Sequence, residues 1–359
     1  HELNRGAIWP GILAVKMEQR QGYSQMKGND MKKYIIIIFM LIGIIACQRK
    51  DINNDIEYHL RANSYSADKL LYLESIFRKA DDIDVFIGCI DLKKMEKLVF
   101  MPLTPGPYDF SWDKNGMSFL VTHGDRMTLY KKRGERDSCL FIPIAIACPT
   151  NAMYLYCEGN INSNKVAITW YSTIEREKNC YLGIYDFNNN TFSDTDILVD
   201  LKRVCWKNNE EIVYIKDGKV NTVNILTNKT AASDHNADIL CGLINNKLVA
   251  IKEKRIMLDD LELCSFRDNL NNGVVVSRDF IFAAFKDGEV FVFDKNGKKV
   301  GYAQNLKSIK LGSLGEEPNV VYGLQEGSII KMVYSNNQIK VHNIITISDA
   351  KTNYKNLGL

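Results

Sequence analysis

The chain has 359 residues, 46% apolar and 25% charged, with 46 Lys and Arg against 43 Asp and Glu. That length supports a sizeable core, and a formal charge of +3 without a basic stripe argues against a nucleic-acid partner. Even this small excess is local, because residues 1–46 hold six of the basic and three of the acidic residues, leaving 40 of each from Cys47 onward.

Residues 1–30 carry no domain-like pattern. The sequence opens on His1, and Met31 alone begins a leader of normal proportions, so residues 1–30 read as upstream sequence translated in frame. In "MKKYIIIIFMLIGIIACQRK", Lys32 and Lys33 precede an uncharged run from Tyr34 to Ala46. A spanning helix needs about 20 apolar residues, whereas the core of a secretory signal needs about 7–15.

The run's end, Ile44-Ile45-Ala46-Cys47, resembles the lipobox of bacterial lipoproteins. That resemblance implies cleavage between Ala46 and Cys47, with Cys47 then acylated (palmitate being a typical chain) on sulfur and on its new amino group. Two or more acyl chains anchor stably where one does not. Gln48, rather than aspartate, agrees with outer-membrane sorting as such lipoproteins show it. Residues 31–46 are thus expected to be a signal peptide and residues 47–58 a polar tether at the membrane.

Beyond Cys47 stand eight cysteines, at 89, 139, 148, 157, 180, 205, 241 and 264, with no C-x-x-C spacing. Most sit in apolar runs, where cysteine behaves as a small hydrophobe, so buried free thiols are expected.

From residue 59 short β-rich runs alternate with polar turns, and one unit recurs. Its clearest copy is "FSWDKNGMSFLVTHGDRMTLYKK", echoed by "VCWKNNEEIVYIKDGKVNTVNIL" and "VVVSRDFIFAAFKDGEVFVFDKNGKKV". Third-strand exits fall near Asp91, Lys131, Asp186, Ile225, Asp259, Asp294 and Ser335, spaced 40, 55, 39, 34, 35 and 41 residues apart. These are the lengths of four-stranded propeller blades. The spacing predicts an all-β propeller over residues 59–348, seven blades with six or eight as alternatives, and a tail at 349–359. The long interval is assigned to an extended hairpin between Cys157 and Cys180, and "SYSADKLLYLESIFRKADD" to a strand hairpin, with a helix as the alternative. The clusters Lys131-Lys132-Arg133 and Lys252-Glu253-Lys254-Arg255 read as hairpin tips. "FSWDKNGMSFLVT" is similar to the blade motif of TolB-type propellers, and "VFVFDKNGKKV" to blades of propeller lipoproteins of Gram-negative bacteria. That likeness implies a fold and a compartment, not an activity.

Candidate chemistry is sparse. Asp113-Lys114-Asn115-Gly116 and Asp294-Lys295-Asn296-Gly297 suit hairpin turns better than calcium loops, which need further acids. "SWDKNG" misses the sialidase Asp-box by one position, and no Gly-x-Ser-x-Gly elbow or H-E-x-x-H pair occurs. No catalytic residue, metal or cofactor is therefore assigned. Trp112, Trp170 and Trp206 suit packing between blades. Tyr154, Tyr156, Trp170, Tyr171 and Tyr181 flank the long hairpin, where they read either as ordinary strand packing or as a candidate partner- or glycan-binding surface. The expectation is a non-enzymatic, lipid-anchored envelope propeller holding an unidentified protein or glycan. The alternative is a carbohydrate-active or other hydrolase at the channel mouth.

Overall fold

In the computed structural model the described residues belong to one compact unit. The structure describes residues 55–352 apart from 61–64, 67, 80–81, 104–107, 134–139, 161, 175–178, 201, 267–272 and 307–308. Ala46 and Cys47, the expected cleavage and lipid-attachment residues, lie outside the described residues, as does Cys139.

The described strands form seven sheets, six of them built from one contiguous stretch of chain with antiparallel neighbours, while that of blade 1 adds a short parallel strand from the end of the chain. Blade 1 opens with Asp55–His59 and Tyr65–Ser66, which share one edge of the strand Lys69–Lys79. The innermost strands of blades 2 to 7 are Tyr108–Trp112, Ala152–Asn160, Cys205–Trp206, Ile239–Ile244, Val274–Val276 and Lys310–Leu314. The chain is a seven-bladed β-propeller. Six of the seven third strands end at or beside the exits expected from the sequence, from Asp82–Asp91 in blade 1 to Ser328–Ser335 in blade 7, and that of blade 2 runs two residues further. The segment that suited either strand or helix is the strand Lys69–Lys79, and the long interval holds the extended pair Ala152–Asn160 and Lys165–Ser172.

Turn chemistry explains the regular reversal. Asp217–Gly218, Asn245–Asn246 and Asn336–Asn337 each place two consecutive residues at positive φ, the conformation that two-residue hairpins need and that Asn, Asp and Gly tolerate. Glu253–Lys254 makes the same turn with less suitable residues, and the Glu253 N–H donates to the Asp238 carboxylate at 2.8 Å. This cationic cluster is a hairpin tip, as expected. Lys131-Lys132-Arg133 is not: it ends the strand Arg126–Arg133 and pairs with Leu140–Ala145, because that third strand continues two residues past its expected exit. Both Asp-Lys-Asn-Gly stretches are turns. Asp113 Oδ1 accepts the N–H groups of Asn115 and Met117 at 3.2 and 2.9 Å, and Asp294 Oδ1 those of Asn296 and Lys298 at 2.8 and 2.9 Å.

Apolar side chains on both faces of each blade meet those of the next, giving seven buried clusters around the ring. Trp112 packs edge-on to Phe119 and Phe141 between blades 1 and 2, at 5.2 and 6.0 Å between ring centroids. Ring closure uses Leu70, Tyr72 and Ile90 of blade 1 against Tyr322, Leu324 and Ile329 of blade 7. Tyr65 stacks on Tyr322 across this junction at 5.1 Å.

The ring uses more chain than residues 59–348. Asp55–His59 already pairs within blade 1, and after blade 7 the 3₁₀ turn Ile347–Asp349 leads to Lys351–Thr352, which lies parallel to Glu96–Lys97 on blade 1's outer edge. Short polar-rich stretches such as "DIEYH" hide a strand because their pairing partner lies 14–22 residues away, at Leu73–Phe77.

Glu74 sits in this closing region, 7% exposed, and among the described residues its Oε2 has no hydrogen-bond partner. Burial raises its pKa, opposed by Lys97. A raised folded-state value means that Glu74 favours folding most below about pH 4.3, the unfolded carboxyl range, and less as pH rises through the folded value. Glu74→Gln is therefore expected to raise stability at pH 8 by about 1 kcal/mol, with the gain vanishing toward pH 4. Urea titrations at both pH values measure this, and a gain that does not change with pH would refute it.

Candidate functional site

The innermost strands enclose a cavity of about 230 Å³ on the propeller channel. Its apolar wall comes from Leu60, Ile239, Leu240, Val274, Val275 and Leu311. Ile239 is 47% exposed while lining it, so the cavity reaches the surface. Two bulges shape the wall. They interrupt the ladders at Leu240/Gly242 and Leu311/Ser313, leaving Cys241 and Gly312 as unpaired residues that face the space. Gly312 is required there, because a Cβ on it would lie 2.1 Å from the Leu60 Cβ.

The polar wall is Glu158 of blade 3 and Arg203 just before blade 4. Arg203 Nη2 donates to Asp109 Oδ2 of blade 2 at 3.4 Å, and its guanidinium lies 5.6 Å from the Tyr156 ring centroid. Asp109 is 1% exposed and also accepts the N–H groups of Phe110 and Cys157, both at 3.0 Å. One carboxylate thus ties together the inner strands of blades 2, 3 and 4. Burial alone would lower the Arg203 pKa; the Asp109 and Glu158 carboxylates outweigh it and hold the guanidinium charged.

The thiols at this site are poor nucleophiles. Burial pushes Cys241 up to about 12 and Cys205 well above its ordinary value, and the thiolate is the reactive form. Cys157 is likewise raised by burial, then by Asp109. No disulfide joins any two of the seven described cysteines. His123 ends a strand before Gly124, its Nε2 3.1 Å from Thr128 Oγ1, and burial lowers its pKa. Among the described residues no three His, Cys, Asp or Glu side chains gather as a metal-ligating group.

The five aromatic residues expected to form a partner surface occupy other places. Tyr154 is fully buried and Trp170 is 6% exposed, both between blades 2 and 3. Trp170 stacks on half-buried Tyr181 at 5.0 Å, and half-buried Tyr171 packs between blades 3 and 4. The idea of an exposed aromatic platform is corrected for Tyr154 and Trp170, because both faces of a blade are interior. Tyr156 alone of the five meets the cavity's polar wall, through Arg203. Sequence reading did not single out Asp109, Glu158 or Arg203. The available signal was the acid inside "YDFSW", since an Asp at a buried strand position requires a partner.

No protein-family model matches the chain, and no curated protein matches it. Solved structures do resemble it. The β-propeller domain of the trilobed protease from Pyrococcus furiosus, described as having an open velcro topology, aligns with a TM-score of 0.53 at 10% identity, covering 82% of this chain and 97% of that one. An uncharacterized protein from Listeria monocytogenes aligns at 0.48 with 12% identity, covering 84% and 95%. A C-terminal WD40 domain also gives 0.48 with 12% identity, covering 80% and 85%. At these identities the likeness is one of fold.

Proposed function

We propose that this protein is a lipid-anchored propeller of the bacterial envelope that works as a binding module, without catalysis. The observation that carries the binding reading is the composition of the channel cavity. Its wall mixes aliphatic side chains with polar groups, and among the described residues Glu158 is its one lining carboxylate. Glycoside hydrolysis needs two carboxyl groups flanking one bond. Asp109, a second acid that faces Arg203, is buried and engaged with two backbone N–H groups and that guanidinium.

The anchor rests on the positive start, the short apolar run and Ala46-Cys47. Likeness to TolB-type blades and to propeller lipoproteins supports the same compartment, with a protein or glycan as the larger partner and no nucleic acid. The test is expression of the full chain in a Gram-negative host beside Cys47→Ser. Wild type is expected in the membrane fraction carrying labelled palmitate, and the variant in the soluble fraction without label. A variant that pellets like wild type would overturn the anchor. Protease shaving of intact cells then assigns the propeller to the surface or to the periplasm.

A further inference from the structure

We infer that one face of the propeller, the one that carries the turns between second and third strands, lies toward the lipid bilayer, and that the opposite face points away from it. This rests on the lipid anchor proposed above and adds the surface that meets the membrane.

The course of the chain defines the two faces. Asp55–His59 lies on the inner edge of Lys69–Lys79 and runs antiparallel to it, with Asp55 opposite Phe77. Asp55 therefore sits at the end of the second strand of blade 1, beside the turn that leads into Asp82–Asp91. Repetition around the ring puts the equivalent turns of the other blades on this same near face, among them Asp217–Gly218, Glu253–Lys254 and Glu326–Gly327. The far face holds the turns between first and second and between third and fourth strands, such as Asn245–Asn246 and Asn336–Asn337.

Covalent reach selects between the faces. Cys47, the acylated residue of the anchor, precedes Asp55 by eight positions. A tether of that length spans at most about 29 Å when fully extended. To set the far face on the bilayer, it would have to cross blade 1 from inner to outer edge, three strand spacings or about 14 Å. It would also have to run the height of the blade, about 33 Å along the ten residues of Asp82–Asp91. Even the diagonal of these two distances, about 36 Å, exceeds the reach. The channel offers no shorter route, because Leu60 already lies in it against Gly312. Resting on the rim would stretch the tether across the blade, whereas the near face needs no stretching.

This placement sorts the partners. Ile239 begins an inner strand and is 47% exposed, so the cavity it lines opens on the near face. A solute small enough for that cavity enters through the space beneath the propeller. A large protein or glycan meets the far face.

Energy transfer to the bilayer tests this. The full chain is purified in detergent from membranes of a Gram-negative host and reconstituted into phospholipid vesicles with acceptor-labelled headgroups. Donors are attached at Ile174→Cys and Leu226→Cys, and wild type taken through the same labelling is the blank. Ile174, 74% exposed, follows the second strand of blade 3 and lies on the near face. Leu226, 64% exposed, follows the third strand of blade 4 and lies on the far face. Transfer from residue 174 is expected to be at least twice that from residue 226. Insertion of about twenty Gly and Ser residues after Lys50 frees the propeller to turn and is expected to bring the two values together. Equal transfer, or more from residue 226, in a palmitate-carrying chain overturns the inference and leaves the anchor standing. A difference that survives the longer tether overturns the tether as its cause. A chain without palmitate overturns the anchor, and this placement with it.

Discussion

Asp109→Ala is expected to destabilise the propeller by about 3–5 kcal/mol, the range for breaking a buried ion pair from one side. The size follows from what the carboxylate holds. Removing it leaves the Cys157 N–H without its acceptor and the Arg203 guanidinium without its 3.4 Å partner. A domain with roughly 5–15 kcal/mol of total stability loses a large share by this change. Arg203→Met alone is expected to cost a similar amount, because it strands Asp109, which is 1% exposed. Combining Asp109→Leu with Arg203→Met should recover part of the loss, since two apolar groups leave no uncompensated charge. Urea unfolding of wild type, Asp109→Leu, Arg203→Met and the double variant closes the cycle. Additive losses would show that the pair is not coupled and that Asp109 acts through its backbone bonds alone.

That pair also shows where reading the sequence stops. The blades are legible because their second and third strands are regular hairpins with tight Asp- or Gly-containing turns, as at Asp217–Gly218 and Glu326–Gly327. Such local signals recur at blade spacing whatever the ligand. The innermost strands are the opposite case. Cys205–Trp206 is two residues long and Val274–Val276 three, too short for a period to register. Their contacts are also remote, Asp109 and Arg203 being 94 positions apart. The site is built from these strands, so it was the least visible part of the molecule.

The aromatic residues failed as a guide for a related reason. Alternation along a strand normally separates a core face from a wet face, but a propeller blade buries both faces against its neighbours. Tyr154 and Trp170 look like candidates for exposure only if one face is assumed to be wet. Trp112, read as a packing residue, obeys the same rule and packs with Phe119 between blades 1 and 2.

A chain ending at Thr346 is expected to lose at least the stability that Ile347 alone provides, about 2–5 kcal/mol for truncating a fully buried isoleucine. Blades 1 and 7 share no strand, so the ring closes through side-chain packing and through the segment after blade 7. Ile347 and Ala350 enter the cluster between these two blades, and the Ile347 N–H donates to the Gly327 carbonyl at 3.0 Å. Lys351–Thr352 then pairs with Glu96–Lys97, joining the end of the propeller to the outer edge of its first blade. Because the loss falls at one junction, it should be local before it is global. Amide exchange is expected to quicken first in residues 69–103 and 310–346, with blades 3 to 5 retaining protection. Ile347→Ala should reproduce the pattern in milder form while leaving the Lys351–Thr352 pairing in place. If the truncated chain unfolds at the wild-type urea concentration, the packing of Leu70, Tyr72 and Ile90 on Tyr322 and Leu324 closes the ring unaided. Uniform acceleration of exchange in all seven blades would instead show that the ring opens only as a single cooperative unit.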